Sequence, residues 1–209
     1  MNYADTIKFA VAMIIMMNPL GSLSIFLQLT KRFSESEQRK IAISASIAIL
    51  VILLIAIWTG NSILALLGIT IPSFRFAGGI ILLLMGLSML QSQESALSYT
   101  TEDDEAAKER HSIAIVPLAL PVTVGPGAIS TLIISAGDYP QTIHKFWMSL
   151  ICIGLGLGMG IILFFGHKVA RFVGVSVMKV VTRIMGMVIM AIAVGMLSDG
   201  LLGLIPSLR

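Results

Sequence analysis

Apolar residues run along this chain in long uncharged blocks, at 9–30, 41–74, 76–93, 112–137, 146–166 and 184–198, and every Lys, Arg, Asp and Glu falls outside them. Crossing the hydrocarbon of a bilayer takes about 17–25 residues of helix. The blocks therefore predict six transmembrane helices, near 7–29, 41–58, 74–91, 113–136, 146–165 and 180–198. The last is extended back across Arg183, because an arginine near a helix end can reach the headgroups. The 34 residues of 41–74 hold one span plus extra structure. The expected fold class is an all-α membrane protein forming a single transmembrane domain.

Composition reinforces this reading. Only 12% of the residues are charged and 56% are hydrophobic, with a mean hydropathy of +0.96; soluble domains carry about 25% charge. The net charge of +3 does not mark a nucleic-acid surface, because the basic residues are dispersed between spans. Thirteen methionines read as flexible apolar filler. Cys152 stands alone within a span, which leaves no intramolecular disulfide. His111, His144 and His167 occupy connections without metal-site spacing. The first block reads as a retained span rather than a signal peptide, since no small-residue cleavage site follows it.

Sidedness follows from the basic residues. Lys31, Arg32, Arg39, Lys40, Lys108, Arg110, Lys168, Arg171, Lys179 and Arg183 fall on one side of a six-span chain. Lys8, Arg75, Lys145 and Arg209 fall on the other. The positive-inside rule then places both termini outside and the connection 92–112 in the cytoplasm. Glu102, Asp103, Asp104, Glu105 and Glu109 in that connection lack the glycine and alternation of a calcium loop. They read as a solvated segment.

Sliding the chain against itself reveals an internal repeat. Asn18-Pro19 falls on Gly125-Pro126 at an offset of 107, Gly60 and Gly68 on Gly166 and Gly174 at 106, and Arg75 and Gly78 on Arg183 and Gly186 at 108. Repeat A is expected over 3–91 and repeat B over 113–199. Each holds three spans, so the second enters the membrane from the opposite side, giving inverted topology. Segments 61–67 and 167–173, bounded by glycines, are expected as short interfacial or re-entrant helices, with ordinary looped connections as the alternative.

Helices 1 and 4 should be broken at mid-membrane. Pro19 interrupts a helix at about Asn18, while Asn18 and Pro19 suit the N-cap and first position of a new one. In the fourth span Pro117, Pro121 and Pro126 alternate with Gly125 and Gly127, and a second half-helix can begin at Pro126. Unpaired backbone at that depth must face protein or a wet cavity. Two opposed helix N-termini would also attract a carboxylate. The candidate substrate-binding residues are Asn18, Pro19, Gly21, Ser22, Thr123, Gly125, Pro126, Gly127 and Ser130, with Ala128 adding room. Structural kinks and glycine contacts are the plainer account of the same residues.

No charged residue falls in the core of a span, so a small, net-neutral solute is expected, including a zwitterion. No cofactor or metal is expected. A coupling ion, if used, would be sodium held by carbonyls and Asn18, Ser or Thr oxygens rather than a proton on a carboxylate relay. Gly154, Gly156, Gly158 and Gly160 form two overlapping G-x-x-x-G pairs, for close packing within the monomer or in a homo-oligomer. The spans show no set of catalytic residues, and an enzyme is not expected.

Four stretches in order resemble the MarC family of bacterial inner-membrane proteins: MNPLGSLSIF at 17–26, IPSFRFAGGIILLLMGLSM at 71–89, IVPLALPVTVGPGAIST at 115–131 and TRIMG at 182–186. The resemblance spans essentially the whole chain. It implies six spans and, for some members, transport of small neutral amino acids such as alanine, glycine and serine. Its hallmark positions here are Asn18, Pro19, Gly21, Pro117, Pro121, Gly125, Pro126 and Gly127. The leading expectation is thus a secondary transporter of such solutes. A broad-specificity exporter or facilitator and a noncatalytic structural or assembly protein are the alternatives. The latter predicts proline breaks filled by neighbouring side chains.

Overall fold

The computed structural model describes residues 3–91, 123–205 and 207. The connection 92–112, Pro117, Pro121 and the first part of the expected fourth span lie outside these residues. What is described is helical: α1 (Tyr3–Met17), α2 (Pro19–Thr30), α3 (Glu35–Leu66), α4 (Ile71–Gln91), α5 (Pro126–Asp138), α6 (Thr142–Phe164), α7 (Gly166–Val173) and α8 (Val175–Leu204).

Local chemistry sets most of the boundaries. Pro19 ends α1, and Asn18 turns the chain through a left-handed conformation, φ 42°, which asparagine tolerates better than most residues. Ser34 opens α3 with a capping box: its backbone N–H donates to Glu37 Oε2 at 2.9 Å, and Glu37 N–H donates to Ser34 Oγ at 3.4 Å. Buried Gln38 then donates to the carbonyls of Thr30 and Phe33, both at 3.0 Å, tying the end of α2 to the start of α3. Gly68, at φ 68°, closes α3. The N–H of Ile69 reaches Leu64 O at 2.9 Å and that of Gly68 reaches Ala65 O at 3.1 Å, the paired bonds of a Schellman end.

This ending corrects one expectation. Segment 61–67 forms no separate helix, because α3 runs unbroken through Gly60, whose bare Cα accommodates Ile133 of α5. Its expected counterpart does stand alone as α7, divided from α8 by Gly174 at φ 77°. The last helix also starts earlier and ends later than the expected span 180–198.

Five segments are long and apolar enough to cross a membrane among the described residues: Tyr3–Thr30, Glu35–Leu66, Ile71–Leu90, Thr142–Phe164 and Val180–Leu204. With 13 residues, α5 rises about 20 Å, short of a full crossing. The chain is an all-α, multi-pass membrane protein. Its outer surface is apolar as well as its core: Ile43, Ile47, Val51, Ile55 and Trp58 mark the exposed stripe of α3, whereas Ala42, Ala45, Ile49, Leu53 and Ile57 are buried. Both faces of one helix are greasy because one meets lipid and the other meets protein.

Two pairings organise the interior. The most extensive is antiparallel, α4 on α8, at backbone contact: a Cβ on Gly86 would lie 2.8 Å from Gly186 O, and one on Gly200 would lie 2.7 Å from Phe76 N. The second sets α6 against α3, where Gly156 meets Leu50, Gly160 meets Ser46, and Trp58 Nε1 donates to Ser149 Oγ at 3.1 Å. Gly154 and Gly158 have nothing within 4 Å of a built Cβ. The two overlapping glycine pairs therefore separate, one inside the monomer and one facing out. Short α5 packs against α1, α3 and α4.

The polar groups collect at two ends. At one, Arg75 Nη2 donates to Asp138 at 2.6 and 2.8 Å, and Nη1 lies 3.5 Å from Asp199. This joins the starts and ends of α4, α5 and α8. At the other, Arg39 lies over the Phe164 ring at 5.2 Å and Lys168 over Phe165 at 5.7 Å.

Candidate functional site

The break between α1 and α2 satisfies most of its own polar groups. Asn18 Oδ1 accepts from Gly21 N–H at 3.3 Å, and Ser22 Oγ donates to the Met17 carbonyl at 3.0 Å, which the interrupted helix would otherwise leave free. Ser22 N–H continues the ladder onto Asn18 O at 2.9 Å. A side chain on Gly21 would collide with the Asn18 amide, so the glycine is part of the cap. Asn18 and Ser22 are buried; Pro19 and Gly21 are half-buried.

The start of α5 is different. Its N-cap is Gly125, in extended conformation, and no side chain caps the end. Pro126 has no N–H, so Gly127 and Ala128 carry the first-turn amides for which the helix itself offers no carbonyl, while Ile129 N–H bonds Gly125 O at 3.1 Å. Just ahead of the cap, Thr123 is fully buried and its Oγ1 has no hydrogen-bond partner. A buried hydroxyl without a partner costs about 1–3 kcal/mol, which makes it a place to look for a ligand. Gly125, Gly127, Ala128 and Ser130 are buried with it, and Pro126 is exposed.

The two sets of residues come close without bonding to each other. Gly127 sits against Leu82 of α4 and Met16 of α1; a built Cβ would collide with Leu82 and lie 3.8 Å from the Met16 sulfur. Ser130 packs on Gly78, with its Oγ 2.9 Å from a Cβ built there. Thus α5 begins beside the break in α1, but no hydrogen bond links Asn18 or Ser22 with Thr123, Gly125 or Gly127. Met16 and Leu82 are the side chains that lie against Gly127. Among the described residues, no set of three His, Cys, Asp or Glu side chains could hold a metal.

Sequence reasoning missed Met16 and Leu82, which carry no signal beyond being apolar. It also missed the partners of Arg75, whose carboxylates lie 63 and 124 positions along the chain. Asn61 was a further omission: its Oδ1 is buried and unpartnered, 3.2 Å from a Cβ built on Gly137.

The profile of the family described as MarC family integral membrane protein matches residues 3–205. Among relatives, a membrane protein of the archaeon Methanocaldococcus jannaschii is 35% identical, covering 90% of this chain and 91% of its own. Membrane protein YhcE of Escherichia coli K12 is 31% identical, covering 96% and 94%. The inner membrane protein MarC of Escherichia coli O1:K1 is 29% identical, covering 91% and 90%. No solved structure matches. Apolar helices with apolar outer faces, together with this match over nearly the full length, place the chain in the MarC family of integral membrane proteins.

Proposed function

We propose that this protein is a secondary transporter of small neutral amino acids, or similar small metabolites, across a bacterial inner membrane. Six spans form two inverted three-helix repeats in this reading, and the solute binds where the two proline-led helices begin. The observation that carries it is the start of α5, which no side chain caps, beside the buried, unpartnered Thr123 hydroxyl. A carboxylate would accept from the first-turn amides of Gly127 and Ala128 at the positive end of the helix dipole. The Thr123 hydroxyl would donate to it, and Gly125 and Gly127 leave the backbone open to approach. Asn18, Pro19, Gly21, Ser22, Pro126 and Ser130 would frame the same space when Met16 and Leu82 withdraw. The antiparallel α4–α8 pair supports the repeat arrangement, since equivalent helices meet across one axis. Both termini are assigned to the outside, because the end of the molecule with Arg39 and Lys168 also carries Lys31, Arg32, Lys40 and Arg171.

One observation favours a second reading, a noncatalytic structural or assembly protein. Thr123 is fully buried and Ser22 is 1% exposed, and Leu82 and Met16 lie against Gly127, which agrees with that role. A transporter in an occluded state would look the same.

Flux separates the two. Purified protein in proteoliposomes should move labelled alanine, glycine or serine saturably and stereoselectively, with sodium and pH gradients imposed in turn to find any coupling. Folded, inserted protein that gives no flux above empty liposomes would establish the structural reading instead. A roomy facilitator would move many solutes with little discrimination.

A further inference from the structure

A cleft of about 250 Å³ opens between α1 and α5, at the end of the molecule where α1 begins. Asp5, Lys8 and Tyr139 stand at its mouth, Ser135 and Thr131 line one wall, and Phe9 lies opposite. Its size is just under the range of pockets that hold drug-sized ligands, about 300–1,000 Å³, and suits a smaller metabolite.

Its charges are arranged as a pair. Asp5 and Lys8 are three residues apart on α1, so their Cβ atoms lie about 5–6 Å apart on one face. Lys8 is exposed and has no ion-pair partner among the described residues. Tyr139 lines the cleft with Asp5; the Asp5 carboxylate acting on its hydroxyl first, then burial and the charges of Asp5 and Asp138, pushes the phenol's pKa up. The phenol therefore keeps its proton and can donate to the Asp5 carboxylate. A carboxylate and an ammonium at this spacing complement the ammonium and carboxylate of one zwitterion.

The cleft also leads somewhere. On α5, Ser135, Thr131 and Gly127 follow one another at single turns, and Thr131 Oγ1 donates to Gly127 O at 2.9 Å. On α1, Asp5, Phe9, Ala12 and Met16 share a face, and Met16 is the residue packed against Gly127. The two faces run from the charged mouth towards the uncapped start of α5, with Phe9 at 5% exposure and Met16 at 2% packed along the way.

We infer that this cleft is an outer vestibule for zwitterionic α-amino acids, in which Asp5 takes the ammonium and Lys8 the carboxylate before the solute passes Phe9 and Met16. It rests on the transport reading above and adds a first binding station, with a role for each charge, to it. An ethanolamine phospholipid headgroup carries the same two charges. The hydroxyl-bearing wall running inward from the mouth favours a free amino acid, whose ammonium and carboxylate share one carbon.

The test is binding of labelled L-alanine to the full chain in phosphatidylcholine nanodiscs, with glycine and L-serine as further probes. Lactate, which lacks the ammonium, and alaninamide, which lacks the carboxylate, should each compete at least about tenfold less well than alanine, the worth of one charged hydrogen bond. Asp5→Asn should weaken alanine by about the same factor and abolish its preference over lactate. Lys8→Gln should abolish the preference over alaninamide. A role in folding alone would not produce this crossed selectivity, and thermal unfolding of each variant checks that it is intact. The inference is overturned if neither variant changes affinity or preference, if none of the three amino acids binds, or if glycerophosphoethanolamine displaces alanine more tightly than alanine itself. Proteoliposome flux keeps the two ideas apart. Flux indifferent to both variants overturns the vestibule alone, whereas charge-dependent binding without flux retains the vestibule as a zwitterion site and overturns transport.

Discussion

At the level of single residues, the starts of α2 and α5 differ in what they leave unsatisfied. Asn18 serves its own helix start, so Asn18→Ala should cost about 1 kcal/mol as a lost cap and lower the midpoint of thermal unfolding by about 2–4 °C in a chain of this size. Thr123 has the opposite character. Thr123→Val keeps the shape and removes a buried hydroxyl without a partner, and should raise the unfolding midpoint while reducing alanine flux; unchanged flux would remove Thr123 from the site. Gly127→Leu pushes a side chain into Leu82 and towards Met16, an overpacking worth about 1–3 kcal/mol, and should lower flux more than surface expression. The sequence shows Asn18, Thr123 and Gly127 as members of proline-bearing motifs. The capping role of Asn18 follows from its place before Pro19 and is met by Gly21 N–H, whereas the sequence does not show that nothing finds Thr123 Oγ1.

Among the helices, glycine decides who packs with whom. The four glycines of α6 are equivalent in sequence, yet Gly156 and Gly160 fit against α3 while Gly154 and Gly158 face outward. Gly156→Leu should therefore destabilise the isolated monomer strongly, and Gly154→Leu should leave its thermal unfolding nearly unchanged; equal effects would contradict the α3–α6 pairing. Gly86 and Gly200 hold α4 and α8 at backbone distance, where no larger residue fits. Helix existence was legible from the apolar blocks, and so were the starts of α2 and α5, because proline acts through its own covalent structure. The continuity of α3 through Gly60 was not, since a glycine flanked by helix-forming residues can sit in a helix or end one. Here Ile133, 73 positions away, fills the space the glycine leaves. Gly68, eight residues on, takes the left-handed conformation that ends the helix.

Across the whole molecule, Arg75 draws three helices together at one end. Its side chain is 19% exposed, and its partners Asp138 and Asp199 are 48% and 64% exposed, so Arg75→Gln should cost no more than about 1 kcal/mol of stability. If the repeats move against each other, the contact must open with them, and the substitution should change the rate of flux more than the unfolding midpoint. Sidedness can be read directly: cysteines introduced at Tyr3 and Lys31 should be labelled from opposite sides of intact cells, Tyr3 from outside. The sequence by itself determined that this chain lives in a membrane, because uncharged blocks of this length have no other solvent, and that helices start at Pro19 and Pro126, because proline fits a first helical position, where no N–H bond is needed. Only the tertiary structure decided what surrounds those helix starts. Whether a polar atom is paired, a glycine is covered, or Asp5 meets Tyr139 depends on contacts between distant segments, and these are set by packing rather than by any local pattern.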